Sequence, residues 1–136
     1  MRFLLAVPFL AFVIVAYLLL VGGGGLMLQA DAFSVALASG ATLTLTFGDF
    51  FTLAGLVALF LEMLKAARPS RGTILDHMLS TAILVAALVC FLLVGACGTA
   101  TFFLLTVMAL VDVVAGFSVS IFSARRDFSV GPDSGS

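Results

Sequence analysis

Residues 102–122 read FFLLTVMALVDVVAGFSVSIF. As a helix this run is about 31 Å long, enough to cross a hydrocarbon core of about 30 Å. Its middle holds one carboxylic acid, Asp112. A bare charge at that depth costs a few kcal/mol or more. The apolar length therefore sets the fold class, and Asp112 sets the first functional question.

The rest of the chain fits the same class. Of 136 residues, 63% are hydrophobic and 10% charged, and the mean hydropathy is +1.34. The apolar residues come in blocks, as membrane spans do, rather than being spread as in a soluble core. These blocks predict an all-α membrane protein with four transmembrane helices at about 3–21, 49–67, 74–94 and 100–124. Residues 1–126 would form one membrane domain, with 127–136 a flexible polar tail. The formal net charge is −1, so there is no nucleic-acid footprint. A cleaved signal peptide is not expected, because the first apolar stretch is too long and Ala30-Asp31-Ala32 lies too far beyond it.

All six basic residues, Arg2, Lys65, Arg68, Arg71, Arg125 and Arg126, fall before helix 1, between helices 2 and 3, or after helix 4. By the positive-inside rule both termini are then cytoplasmic. Gly22–Gly25 ends helix 1, and the following segment changes period. Phe33, Val35 and Leu37 alternate with small residues; Leu43, Leu45 and Phe47 alternate with threonines around Ser39-Gly40. This predicts a periplasmic β-hairpin over about 32–47. Asp49 is then expected as the N-cap of helix 2, and Thr73-x-x-Asp76 as a capping-box start for helix 3. Arg68-Pro69-Ser70-Arg71-Gly72 reads as a tight turn that makes helices 2 and 3 antiparallel neighbours.

The stretches SGATLTLTFGD (39–49), LFLEMLKAAR (59–68), ILDHMLS (74–80), CGTATFFLLTVMALVDVVAGF (97–117) and ARRDFSVG (124–131) resemble a group of uncharacterised bacterial inner-membrane proteins. The likeness runs from about residue 30 onward. It implies a four-helix membrane protein and carries over no activity and no site residue.

Asp112 lies about 19 Å along its helix from Arg125, near mid-membrane. Three states would relieve it: protonated, bound to a cation, or paired with a base from another subunit. No basic residue of the chain is expected at its depth. Counting from Lys65 and Arg2 places Thr52 and Tyr17 at a similar level, so Asp112, Tyr17 and Thr52 are expected as one intramembrane polar cluster. The plainer reading is that such a cluster only holds helices together. Gly116 and Ser120 follow Asp112 at four-residue steps and predict a helix-packing seam. Glu62 and His77 are expected as a polar pair at the cytoplasmic end, with Glu62 also able to pair with Lys65 at i, i+3.

Cys90 and Cys97 are read as small apolar residues, although unwinding at Gly95 could bring them together. One histidine and two distant cysteines make no metal site, and Gly22–Gly25 lacks the context of a phosphate loop. No cofactor is expected, and no serine is expected to have a His/Asp pair. The expected partners are the lipid bilayer and another membrane protein or a second copy. The expectation for function is a non-catalytic accessory, assembly or stabilising subunit of a larger membrane complex. The alternative is an oligomeric proton- or cation-coupled carrier or channel using Asp112. A membrane enzyme built on Glu62, His77 and Arg71 is the least supported reading, because their spacing has no specificity.

Overall fold

A computed structural model describes residues 6–67 and 73–129. The chain is mostly helical: α1 (Phe9–Leu20), α2 (Phe47–Ala66), α3 (Thr73–Leu93) and α4 (Ala100–Ser129), with a hairpin of β1 (Asp31–Ala36) and β2 (Thr42–Thr46) between α1 and α2. Three helices are long and apolar enough to cross a membrane: Phe47–Ala66, Ile74–Leu93 and Ala100–Phe122.

Among the described residues α1 begins at Phe9, inside the predicted span of 3–21. Pro8, with φ −58° and ψ 132°, stands as its N-cap, because proline lacks the N–H that a continuing helix needs. The remaining 12 residues reach only about 18 Å. The glycine run does end it, and Gly24 takes φ 73°, a left-handed conformation open to glycine.

The hairpin forms nearly where alternation placed it. Phe33 pairs with Leu45 and Val35 with Leu43 on one face, while Ser34 pairs with Thr44 and Ala36 with Thr42 on the other. Leu37 N–H donates to the Ala41 carbonyl at 2.8 Å, closing a three-residue loop that ends on Gly40 with φ 85°.

Asp49 is not the N-cap of the second helix. Thr46 is, its side chain accepting from Asp49 N–H while Asp49 accepts from Thr46 N–H at 2.8 Å. This reciprocal capping box moves the helix start back to Phe47, so Gly48 lies in the first turn instead of making a separate bend. A Cβ at Gly48 would fall 2.8 Å from Thr101 Oγ1, so glycine lets α2 approach α4. The capping expected around Thr73 and the Arg68–Gly72 turn lies outside the described residues, although Asp76 does occupy the first turn of α3.

The packing order differs from the chain order. α4 packs on both α2 and α3, whereas contact between α2 and α3 is slight; α1 packs on α2 and touches α4. The expected adjacency of helices 2 and 3 is therefore replaced by a central α4. The reason is visible in side-chain size: Gly55 of α2 would place a Cβ 2.6 Å from Leu105 and 2.7 Å from Met108, so both α4 side chains fill the space it leaves. The core joins Leu10, Ile14 and Tyr17 of α1 and Ala58 of α2 to Ala87 of α3 and Phe102, Leu105 and Ala109 of α4. Tyr17 stacks edge-on to Phe51 at 5.4 Å and tilted on Phe102 at 5.0 Å. α4 also runs on through Ser129, past the predicted helix end at about 124.

Candidate functional site

The polar groups gather at the two ends of the bundle. At the hairpin end, Tyr17 is wholly buried and its hydroxyl donates to the Ala96 carbonyl at 2.9 Å. Thr99 Oγ1 lies 2.6 Å from the same hydroxyl and accepts from Phe102 N–H at 3.2 Å, capping α4. Ala96 belongs to the short 3₁₀ turn Gly95–Cys97, where the chain unwinds after α3. Tyr17 therefore ties α1 to the α3–α4 connection.

This placement breaks up the expected cluster of Asp112, Tyr17 and Thr52. Tyr17 sits beside Phe102, ten residues or about 15 Å along α4 from Asp112. The Thr52 hydroxyl donates to its own helix carbonyl at Gly48, 3.0 Å away. Counting inward took Lys65 and Arg125 to lie at one level, whereas Lys65 stands within electrostatic range of Asp112, thirteen residues before Arg125.

At the other end the acids meet a lysine. Glu62 is 6% exposed, and its Oε1 accepts the Phe9 N–H at 2.6 Å, so a residue of α2 caps the start of α1. Lys65 Nζ lies 3.9 Å from Glu62 Oε2 and 3.9 Å from Asp76 Oδ1. It also lies 5.8 Å from the centre of the Phe9 ring, a weak cation–π contact. Glu62 thus makes the expected i, i+3 pair with Lys65, and does not make the expected pair with His77. Separations near 4 Å leave the amine without a direct hydrogen bond to a described residue. Asp112 joins the same group from α4: it stands against the Ser80 hydroxyl of α3, within electrostatic range of Lys65, His77 and Glu62. Lys65 therefore bears on Asp112 through space, without a described direct contact. Lys65 comes from α2 because α2 and α4 run parallel and side by side.

His77 takes part in a separate contact. Its Nε2 lies 2.6 Å from Ser120 Oγ, and its ring stacks on Phe117 with centres 5.4 Å apart. A Cβ on Gly116 would come within 2.6 Å of the ring, so only glycine there admits the imidazole. Gly116 and Ser120 thus line a contact between α3 and α4, with His77 as the side chain that fills it. Sequence reasoning expected no His/Asp pair around a serine; His77 alone stands beside Ser120. Histidine within reach of a serine hydroxyl meets one requirement of nucleophilic catalysis. Catalysis also needs donors aimed at an oxyanion, and Ser120 lies mid-helix, where neighbouring backbone N–H groups are already bonded along the helix. The geometry fits helix attachment better than acyl transfer.

Cys90 and Cys97 are both free thiols. Cys97 is wholly buried in the 3₁₀ turn, and burial pushes its thiol above the ordinary range. No group of three or more His, Cys, Asp or Glu side chains able to hold a metal occurs among the described residues. The chain matches no protein-family description, no curated protein and no solved structure.

Proposed function

We propose that this chain is a small integral protein of the bacterial inner membrane that acts as a non-catalytic accessory, assembly or stabilising subunit of a larger membrane complex. Both termini would be cytoplasmic and the hairpin periplasmic, as the distribution of all six basic residues supports. The carrying observation is that α3 is an edge helix. Only 11% of its apolar window is buried, against 39% for the central α4. Its open side carries exposed Ala82 and Ala86, with half-buried Cys90 at the next four-residue step. Small residues at this spacing let a second helix approach closely, which is how helices associate where lipid supplies no hydrophobic drive.

The test is native mass spectrometry of the chain extracted in mild detergent. A stoichiometric partner helix protein is expected, and Ala86→Phe should release it while leaving the fold intact. Recovery of the chain alone, with no partner trapped by crosslinking in the membrane, would overturn the reading.

A second reading is an oligomeric proton- or cation-coupled carrier or channel. What favours it is the placement of Glu62 and Asp76 3.9 Å from the amine of Lys65, with Asp112 within electrostatic range of it. Asp112 would be the titrating or ion-binding carboxylate. Proteoliposome flux unchanged by Asp112→Asn would sink it.

A further inference from the structure

The hairpin carries an apolar face that the other described residues leave largely open. Phe33, Val35, Leu37 and Leu43 are 52%, 39%, 46% and 42% exposed. The strand register puts Phe33, Val35, Leu43 and Leu45 on one side, and Ser34, Ala36, Thr42 and Thr44 on the other. The two hydroxyls of Ser34 and Thr44 face each other across the polar side at 3.4 Å. An isolated two-stranded hairpin is marginal in water, so this face needs an occupant.

We propose that the occupant is the bilayer surface: the hairpin is an interfacial anchor, laying its apolar face on the headgroup–acyl boundary beside the start of α2. This rests on the membrane reading above and adds a specific lipid contact to it. Position supports it first. β2 passes into α2 with no linker, since Thr46 both ends the strand and caps the helix. Phe47 N–H donates to Ala30 O at 3.1 Å and Gly48 N–H to Leu28 O at 2.9 Å, so the hairpin base is pinned to the first turn of a candidate span. The hairpin therefore starts at the level of the membrane surface. Size supports it next. A stable protein interface takes about 800 Å² and 20–30 residues from each partner. A face of five side chains falls well short of that, whereas interfacial lipid binding scales with whatever apolar area is offered. Charge agrees, because Asp31, at the base, is the one ionisable residue of the two strands and their loop.

The chain contains no tryptophan, so one introduced indole reports alone. Phe33→Trp, Leu43→Trp, Thr44→Trp and Leu92→Trp would each be reconstituted in phosphatidylcholine vesicles with acyl chains brominated near the headgroup. Leu92, 69% exposed on α3, serves as the in-bilayer control. Interfacial side chains sit about 5–10 Å into the boundary. Emission from Phe33→Trp and Leu43→Trp should be blue-shifted and quenched several-fold more by bromine than emission from Thr44→Trp, with aqueous iodide giving the reverse order. Iodide quenching of Phe33→Trp equal to that of Thr44→Trp would put the face in water and overturn the proposal. Protection from both quenchers would put protein on the face, a second copy included, and would overturn it too. If Leu92→Trp is quenched by bromine while both hairpin reporters are not, the anchor fails and the membrane reading stands. If Leu92→Trp is also untouched by bromine, both fail.

Discussion

Replacing Lys65 by methionine isolates the charge at the centre of the acidic group, because methionine keeps most of the aliphatic stem. In the folded chain the amine stands 3.9 Å from carboxylate oxygens of both Glu62 and Asp76. At an effective dielectric near 20, each such pair attracts by about 4 kcal/mol before desolvation is subtracted. Removing one partner of a fully buried pair costs about 3–5 kcal/mol, since a charge is left without compensation. Here the Lys65 and Asp76 side chains are 24% and 27% exposed, so solvent screens part of the interaction. Lys65→Met should therefore lower the unfolding free energy by roughly 2 kcal/mol. Glu62→Gln should relieve part of that loss in the double variant, because the amide still accepts from Phe9 N–H while the orphaned charge is gone. A coupling of about 1 kcal/mol is expected from the cycle. The assay is equilibrium unfolding in dodecyl maltoside micelles titrated with dodecyl sulfate, followed by far-UV circular dichroism. Lys65→Met as stable as the parent, or strict additivity with Glu62→Gln, would refute the claim that these side chains form one electrostatic unit.

Gly116→Ala should force the His77 ring out of its seat, lose the Ser120 hydrogen bond and destabilise the chain by about 1–3 kcal/mol. The chain has one histidine, so its imidazole nitrogen resonances report the change without ambiguity; unchanged resonances would contradict the contact. Tyr17→Phe removes only the hydroxyl that holds Ala96 and Thr99 and should cost about 1 kcal/mol in the same unfolding titration, with no loss counting against the tie. In a Cys90→Ala background, Cys97 should resist maleimide in the folded micelle and react fully once denatured, because it is wholly buried and its thiol is pushed up. Equal rates in both states would show that the 3₁₀ turn is open.

The elements themselves were largely legible in the sequence. Period-two alternation from Phe33 to Phe47 located the hairpin, and unbroken apolar length located α2, α3 and α4 within a few residues. These signals are local, and local signals are what sequence carries most directly. The helix starts were less legible. Thr46 and Asp49 are both good capping residues, and only their reciprocal bonds show that Thr46 takes the cap. Pro8 stands at the start of α1, and the bond from Phe9 N–H to Glu62 that completes this start joins residues 53 apart in the chain. The polar site was least legible. Depth counted from basic residues brought Tyr17 and Thr52 to Asp112, whereas lateral packing brought Lys65 and Ser80. Which helix sits centrally depends on Gly48 and Gly55 of α2 opening toward α4 and on Gly116 of α4 admitting His77 of α3, a fact about three-dimensional proximity that spacing along one helix does not contain. Gly116 and Ser120 were recognisable as a seam, but His77 as its occupant was not, since the two segments are far apart in the chain.

The length of α4 has a consequence for reach. Its apolar window ends at Phe122, while the helix continues to Ser129. Those last seven residues extend about 10 Å past the apolar slab as a stiff rod. A rod holds bearing as well as distance. Arg125 follows Asp112 by thirteen residues, about 220° around the axis, so it faces away from the side that meets Glu62 and Ser80. Any body that engages the polar end of α4 is thereby set at a fixed height and a fixed azimuth relative to Glu62 and Asp112, much as a keyed shaft fixes what is mounted on it.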